Sequence, residues 1–156
     1  MFLNRKSLMK KLSLAALTCA ALLQAGMALP ALAQTEAVSA PVYEALGGKS
    51  GLDVIVADFV QLLLADTRIN ATFKDVDLVR LRRLLAEQFC ELAGGPCKYS
   101  GKEMGLIHED LKITNAHFNA LAEDLQIVME QHGVPFSAQN KLVAKLAPMQ
   151  KSIVTK

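Results

Sequence analysis

The stretch GGPCKYSGKEMGLIHEDLKIT, from Gly94 to Thr114, places a histidine between two helical segments. Its Gly-Gly pair allows a sharp reversal of the chain, because glycine takes positive φ at little cost. A short apolar segment then ends at His108, and Thr114 is a typical residue to cap a new helix. The pattern predicts a turn, a loop, a short helix that carries His108, and a longer helix after it.

A lone neutral imidazole on a short helix suits one axial bond to the metal of a large flat cofactor. Haem iron is commonly held by one such histidine. A tetrahedral zinc site does not fit, because it needs about four ligands. The alternative is a capping or core histidine, since lone histidines are usually structural. The local pattern leaves both interpretations of His108 open.

Residues 1–33 have the pattern of a cleaved secretory signal peptide. An apolar stretch from Leu12 to Leu23 follows a basic start, and Ala31-Leu32-Ala33 is a small-x-small cleavage site before Gln34. The stretch is shorter than the roughly 20 residues of a membrane span, although an uncleaved anchor is the alternative. We therefore expect a periplasmic protein, secreted through this signal, with a single domain at 34–156 and no membrane span after cleavage.

The charge of the predicted mature chain excludes one class of partner. Four of the 17 basic residues and none of the 15 acidic residues lie in the first 33, which leaves a formal charge of −2. No basic stripe interleaved with aromatic residues follows, so no nucleic acid partner is expected. The sequence also lacks a Ser/His/Asp or Cys/His nucleophile signature and a phosphate-binding glycine loop.

The mature chain is predicted to be all-α. Apolar residues recur at three- and four-residue spacings, which predicts helices over 38–46, 51–65, 78–93, 114–131 and 137–146. Asp77, Thr114 and Ser137 are the predicted N-caps of the last three helices. Two cysteines remain, Cys90 and Cys97. An even pair in an exported protein suggests a disulfide, but two free thiols are the open alternative.

Seven short motifs resemble the group I truncated haemoglobins in their order and spacing, from Tyr43 to about Ile153. They are YEALGG (43–48), ADFVQLLLADTRI (57–69), ATFKDVDLVRLR (71–82), AGGPCKYSGKEM (93–104), IHEDLKIT (107–114), AHFNALAEDL (116–125) and HGVP (132–135). The resemblance implies a two-over-two helical sandwich around haem b, with one iron per chain. Because the segment between Gly94 and Ile107 has little helical length, we expect the cofactor to hold it in place.

The resemblance also implies roles for individual residues. His108 is the expected proximal ligand of the iron, and Phe73 is expected to stack on the haem. The cofactor-binding residues implied besides His108 are Phe59, Phe73, Leu81, Leu85, Met104, Ile113, Phe118, Leu121 and Leu125. For each apolar residue the alternative is an ordinary core position. Lys98 and Tyr99 could reach a haem propionate or lie in a solvated loop.

The chain departs from the family pattern on the distal side of the haem. Group I members usually place a tyrosine where this chain has Val60, and polar residues at one or more of the positions of Leu81, Leu84 and Leu85. Gln88 shares the helix face of these leucines, so it is either the replacement donor or a surface glutamine. The expected distal pocket is therefore unusually apolar. His117 is interpreted as packing or surface, and His132 as a cap of helix carbonyls.

Two functions follow from the resemblance. The first is reversible binding of oxygen or another diatomic gas, as a carrier or sensor. The second is a haem enzyme that consumes nitric oxide or reduces peroxide, with an unidentified electron donor. Peroxide cleavage needs a distal acid–base group, which is not evident in this chain. A helical domain that has lost its haem is a third and poorer alternative.

Overall fold

A computed structural model describes residues 40–156, and the predicted signal peptide lies outside the described residues. The prediction of an all-α chain is confirmed for the described part, which contains no strand. Its helices are α1 (Ala40–Ala45), α2 (Gly48–Ala65), α3 (Leu78–Leu92), α4 (Met104–His108), α5 (Asn115–Gln131), α6 (Phe136–Leu146) and α7 (Gln150–Ile153). Two 3-10 turns, Asn70–Phe73 and Ala147–Met149, complete the order. None of the helices within 40–156 has the length and apolarity needed to cross a bilayer.

The two long central pairs of helices build the sandwich. Helix α2 packs against both α3 and α5, while α6 packs against α5 and α3. The core between them contains Phe59 and Phe89, whose ring centroids lie 6.0 Å apart, together with Leu125 and Met129, which are fully buried. Each large apolar side chain buried in this way stabilises the fold by about 1.5–3 kcal/mol. The pair α2–α3 over the pair α5–α6 is the expected two-over-two arrangement.

Local capping sets the start of two helices that flank the later site. The Asp77 carboxylate accepts hydrogen bonds from the backbone N–H of Val79 and Arg80, both at 3.0 Å. The Thr114 hydroxyl accepts from the backbone N–H of His117 at 3.2 Å, and Nδ1 of His117 accepts from the backbone N–H of Thr114. Each side-chain acceptor satisfies backbone donors that a helix leaves unpaired at its start. Both predicted caps are confirmed.

Two predicted boundaries were wrong, and one helix was missed. Helix α2 begins at Gly48 rather than at residue 51, because Gly47 and Gly48 take positive φ (78° and 61°) and complete the reversal earlier. The Ser137 cap is also wrong: α6 begins at Phe136, and the carbonyl of Pro135 accepts from the N–H of Gln139 at 3.1 Å. Helix α7 was not predicted at all. It has four residues, too few for a periodic pattern.

Cys90 and Cys97 form a disulfide, with Cα atoms 5.7 Å apart. Gly94 lies in the left-handed region (φ 82°) and turns the chain back at the end of α3. Gly95 packs so closely that a Cβ there would lie 2.6 Å from the Cys90 sulfur. The two glycines therefore let Cys97 return to the face of α3 that carries Cys90, which resolves the alternative that the sequence left open.

We expect the Cys90→Ser/Cys97→Ser double variant to lose about 2–3 kcal/mol of unfolding free energy, because the disulfide restricts a short loop in the unfolded chain. Urea unfolding of wild type and variant measures the difference. Wild type in the presence of a thiol reductant is the matched control and should unfold like the variant. Equal midpoints for oxidised wild type and variant would contradict this expectation.

A buried carboxylate lies where the end of α2 meets α5. Asp124 is 2% exposed, and its Oδ2 has no hydrogen-bond partner within 40–156. Arg68 Nη2 lies 3.7 Å from Asp124 Oδ1, while the same guanidinium makes shorter ion pairs to Asp66 (2.8 Å) and Glu123 (2.6 Å). Burial, followed by the charge of Asp66, raises the pKa of Asp124 to about 6 from 3.8. Asp124 is therefore ionised at a cost to the fold above pH 6.

We expect Asp124→Asn to be more stable than wild type above pH 6, by about 1–2 kcal/mol, because the neutral amide avoids a buried charge and one unit of pKa shift corresponds to about 1.4 kcal/mol. Because the folded-state pKa is raised, the folded protein binds more protons than the unfolded chain between about pH 4 and pH 6. The wild-type free energy of unfolding should therefore fall as pH rises through this window, by at most about 1.4 kcal/mol per unit. Hydrogen bonds from Arg68 lower the pKa of Asp66. This second group therefore makes the free energy of unfolding rise with pH in a lower pH range.

Urea unfolding across pH 4–8 checks this expectation as the difference between variant and wild type. Exposed Asp75 offers the matched control Asp75→Asn, which should show no pH-dependent difference from wild type. A constant difference between Asp124→Asn and wild type over the whole range would contradict a raised pKa.

Candidate functional site

An apolar cavity of about 330 Å³ lies between α3, α4, α5 and the C-terminal segment formed by the 3-10 turn Ala147–Met149 and α7. Five of its 25 lining residues are polar: Thr72, Gln88, Tyr99, His108 and His117. The apolar ones are Leu63, Ile69, Phe73, Val76, Leu81, Leu84, Leu85, Phe89, Met104, Ile107, Leu111, Ile113, Phe118, Leu121, Ala122, Val143, Leu146, Ala147, Met149 and Ile153. A cavity of this kind, with few polar groups, is typical of a cofactor or small-molecule site.

Most residues predicted for the site meet at this cavity. Its lining includes Phe73, Leu81, Leu84, Leu85, Gln88, Met104, His108, Ile113, Phe118 and Leu121. Phe59, Val60 and Leu125 do not line it. They are fully buried in the core between α2, α3 and α5, where Phe59 packs against Phe89, itself a lining residue. In the described structure these three residues belong to the core against which the residues of the cavity wall pack.

His108 is the last residue of α4, and its ring is fixed by its own helical turn. Its Nδ1 lies 2.7 Å from the carbonyl oxygen of Met104, so the Nδ1–H donates to that oxygen and Nε2 is left as the nitrogen with a free lone pair. Histidines that ligate metals usually donate their other N–H to a carbonyl or carboxylate in this way. The residue therefore has the tautomer and the support of an axial ligand.

The loop that leads to α4 is tied to α3 by the protein itself. Glu91 accepts from the backbone N–H of Tyr99 (2.8 Å) and from Lys98 Nζ (3.1 Å), and these bonds lower its pKa. Glu87 accepts from the hydroxyl (2.6 Å) and backbone N–H (3.0 Å) of Ser100, which lowers its pKa. With the disulfide, these contacts secure residues 97–100. The expectation that the cofactor holds the segment between Gly94 and Ile107 therefore applies to its second half, beyond Ser100, where it stays a prediction.

The ion pair with Glu91 also bears on the predicted contact between Lys98 and a haem propionate. Lys98 does not line the cavity, whereas Tyr99 does, and the Tyr99 hydroxyl donates to the carbonyl of Lys102 at 3.1 Å. Burial raises the pKa of the Tyr99 phenol. In the described structure the Lys98 ammonium therefore pairs with Glu91 of α3 and does not lie at the cavity.

The backbone conformation of Lys112 is strained and changes the direction of the chain after His108. Lys112 has a φ of 51°, in the left-handed region that a lysine rarely adopts. The next residue, Ile113, is buried in the cavity wall, and its carbonyl accepts from the backbone N–H of Thr155 and Lys156. The C-terminal residues thus close the wall behind α4. Sequence reasoning did not find this element, since neither Lys112 nor the tail carries a recognisable turn motif.

The polar groups of the lining are few and mostly engaged. Gln88 Nε2 donates to the sulfur atoms of Met104 (3.4 Å) and Met149 (3.7 Å), and His117 is held by the capping box of α5. Thr72, in the 3-10 turn Asn70–Phe73, is a further polar residue of the lining. Sequence reasoning missed Thr72, because its only signal was its place beside the predicted haem-stacking aromatic.

The third histidine serves a different role from the one predicted. His132 Nε2 lies 2.8 Å from Asp58 Oδ2 on α2, so the side chain does not cap the carbonyls of α5. It is the backbone N–H of His132 that bonds to the carbonyl of Val128. The residue pins the end of α5 to α2, on a surface that is not part of the cavity.

The donor set fits haem better than a bare metal ion. Within 40–156 there is no group of three or more His, Cys, Asp or Glu side chains placed to hold a metal. The cavity instead combines one imidazole with a free Nε2 and apolar walls. A planar, largely apolar macrocycle whose metal needs one axial protein ligand matches that combination.

Comparisons with known proteins agree with this geometry. The model of the bacterial-like globin family matches residues 41–155. A group 1 truncated haemoglobin of Mycolicibacterium paratuberculosis is 31% identical over 120 residues, covering 77% of this chain and 88% of the relative. Another from a Synechocystis species is 34% identical over 110 residues, covering 68% of this chain and 86% of the relative.

Two solved structures have the same arrangement of helices. The truncated haemoglobin of Tetrahymena pyriformis, in its Fe(III) form, matches with a TM-score of 0.71 at 30% identity, covering 74% of this chain and 98% of that one. The 2/2 haemoglobin of a Synechococcus species, in the cyanomet state with covalently attached haem, matches with a TM-score of 0.69 at 26% identity and the same coverage. Each match spans nearly the whole of the known globin.

Proposed function

Because the chain belongs to the bacterial-like globin family, as a group 1 truncated haemoglobin, we propose that its cavity binds one haem b through His108 and takes up a diatomic gas reversibly. When bound, haem supplies an iron centre that accepts such a gas as its sixth ligand. The protein supplies the fifth ligand, the apolar walls and the exclusion of water. Oxygen is the gas that the family resemblance favours.

The observation that carries this proposal is the state of His108. Its Nδ1–H is fixed on the Met104 carbonyl, which leaves Nε2 for the iron, and the residue lies in the wall of an apolar cavity. A structural histidine would instead have both ring nitrogens paired or one exposed to solvent on a polar surface. Phe73, Phe118 and Leu121 line the same cavity and offer flat or branched apolar contacts to a porphyrin.

The distal wall supports ligand binding rather than peroxide chemistry. Leu81, Leu84 and Leu85 project from α3 into the lining, and the Gln88 amide is engaged by sulfur atoms. Cleavage of peroxide needs a group that gives and takes a proton beside the ligand. Among the described lining residues of α3 none can do so. An electron donor that would keep the iron ferrous stays a prediction.

Haem titration tests the proposal directly. Protein purified from cells that express the full chain should bind haem to one equivalent per chain, and after reduction its absorption bands should shift on addition of carbon monoxide. Saturation well below one equivalent, or a reduced spectrum that carbon monoxide leaves unchanged, would contradict the proposed function. The Gln139→Met variant, altered in the core outside the cavity, should behave as wild type.

We further propose export to the periplasm, with cleavage before Gln34. The Cys90–Cys97 disulfide supports this proposal, because such bonds persist in oxidising compartments and are rare in the cytosol. Expression of the full chain in a Gram-negative host, followed by fractionation and intact mass measurement, tests it. The mature product should start at Gln34 and be found in the periplasmic fraction. An uncleaved chain held in the cytosol or membrane would contradict export.

A further inference from the structure

Gln88 is a buried polar side chain in an otherwise apolar stretch of the cavity wall. It is 8% exposed, and it lies one helical turn beyond Leu84 and Leu85 on α3. A buried amide is costly unless it is hydrogen-bonded. Its Nε2 finds two thioether sulfurs, Met104 Sδ at 3.4 Å and Met149 Sδ at 3.7 Å. The amide N–H groups are therefore directed at α4 and the C-terminal 3-10 turn.

Met104 connects this amide to the proximal histidine. It is the first residue of α4, and its carbonyl oxygen accepts the Nδ1–H of His108 at 2.7 Å. Because α4 has only five residues, Met104 and His108 are the two ends of a single turn. One residue thus holds the ring of His108 through its carbonyl and meets the Gln88 amide through its sulfur.

Helix α4 packs against α7, but few hydrogen bonds within the helix hold it in place. The hydrogen bond from the N–H of Ile107 to the carbonyl of Glu103 is long, at 3.3 Å, and α4 lacks a side-chain N-cap. The contacts that Glu87, Glu91 and the disulfide make with the preceding loop end at Ser100, four residues before Met104. The contact of Gln88 is the next link along the same face of α3, and it reaches α4 itself.

We propose that Gln88 is a positioning residue for the proximal histidine, acting through Met104 to fix the place of α4 and so the direction of the His108 imidazole. This inference rests on the proposed function, in which His108 ligates haem. It assigns Gln88 to the proximal side of the cofactor instead of to a ligand bound on the distal side. Glutamine suits the task, because a thioether accepts hydrogen bonds and cannot donate them.

The test compares Gln88→Met and Met104→Leu, which remove the two ends of the contact while keeping apolar bulk. Gln139→Met is the matched control, because Gln139 is also a buried glutamine, 1% exposed, whose Nε2 donates at 2.8 Å, but to the Val134 carbonyl outside the cavity. Two vibrational bands are read in the haem-loaded protein. The iron–histidine stretch of the ferrous protein reports the proximal side, and the C–O stretch after addition of carbon monoxide reports the distal side.

The proposal expects Gln88→Met and Met104→Leu to shift or broaden the iron–histidine band and to leave the C–O band in place. The double variant should show no further change, because both substitutions remove one contact. Gln139→Met should leave both bands unchanged. A C–O band that moves in Gln88→Met while the iron–histidine band stays would overturn the proposal and place the amide on the distal ligand. Two unchanged bands would overturn it as well.

Hydrogen exchange in haem-free protein tests the link without the cofactor. The amide of Ile107 should exchange roughly two- to tenfold faster in Gln88→Met than in Gln139→Met, the range that loss of one neutral hydrogen bond allows. An unchanged rate would overturn the link between Gln88 and α4. A wild-type protein that exchanges as expected but shows no iron–histidine band would contradict the proposed function instead. The two failures are therefore distinguishable.

Discussion

Replacing His108 by Gly is expected to raise the rate of haem loss at least about a hundredfold. Removal of an outer partner of a metal ligand already costs about 10–100-fold in affinity, and His108 is the proposed ligand itself. The rest of the cavity lining is mostly apolar, and the imidazole of His117 is engaged in the capping box of α5. Transfer of haem to an excess of a haem-scavenging protein, followed by absorption, measures the rate.

The other two histidines provide the controls. His132→Ala removes a hydrogen bond with Asp58 outside the cavity, and His117→Ala removes one half of a capping box. Both variants should keep haem with a nearly unchanged spectrum. If His117→Ala released haem while His108→Gly retained it, the assignment of the proximal ligand would be wrong.

The second large effect is expected on the distal side. Oxygen bound to ferrous iron carries partial negative charge and gains from a hydrogen-bond donor, whereas carbon monoxide gains less. A hydrogen bond contributes about 1 kcal/mol between neutral groups and about 1.5–3 kcal/mol to a charged acceptor. Since about 1.4 kcal/mol corresponds to a factor of ten, Leu85→Gln should slow oxygen release by roughly ten- to a hundredfold. Stopped-flow displacement of oxygen by carbon monoxide measures this rate.

Leu85 is a better place for the donor than Val60. Leu85 lines the cavity, whereas Val60 is fully buried in the core, so a tyrosine there would overpack its neighbours at a cost of about 1–3 kcal/mol. Leu78→Gln, on the same helix but outside the lining, is the matched control and should leave the rate unchanged. Carbon monoxide release should change much less than oxygen release in Leu85→Gln.

Slow oxygen release by the wild type would contradict the apolar distal pocket. Thr72 then becomes the residue to test, because it is a polar lining residue beside Phe73 that the predicted pocket did not include. Thr72→Val keeps the shape of the side chain and removes the donor. Faster release in that variant would show that the 3-10 turn, and not α3, supplies the hydrogen bond to the ligand.

Features that depend on neighbouring residues along the chain were predictable. Asp77 and Thr114 cap their helices as expected, because a cap bonds to backbone groups two or three residues away. The apolar periodicity of α2, α3 and α5 identified long helices for the same reason. Helix α7 escaped prediction, because it has only four residues and its place follows from contacts with α4 and α5 far away in the sequence.

The partners of polar side chains could not be predicted. Gln88 meets Met104 and Met149, which are 16 and 61 residues away, so its helix face alone suggested a distal role or solvent. The charged residues around Asp124 in the sequence of α5 suggest a solvent-exposed position. The structure instead buries Asp124 near Arg68, which lies more than 50 residues earlier in the chain. Tertiary packing decides such contacts, and spacing along one helix carries no information about it.

The iron–histidine stretching band of the reduced, ligand-free protein shows most directly whether His108 ligates the iron. We expect one such band in the haem-loaded wild type, its loss in His108→Gly, and its return when imidazole is added to that variant to fill the space of the missing ring. A band that persists unchanged in His108→Gly would show that another residue ligates the iron.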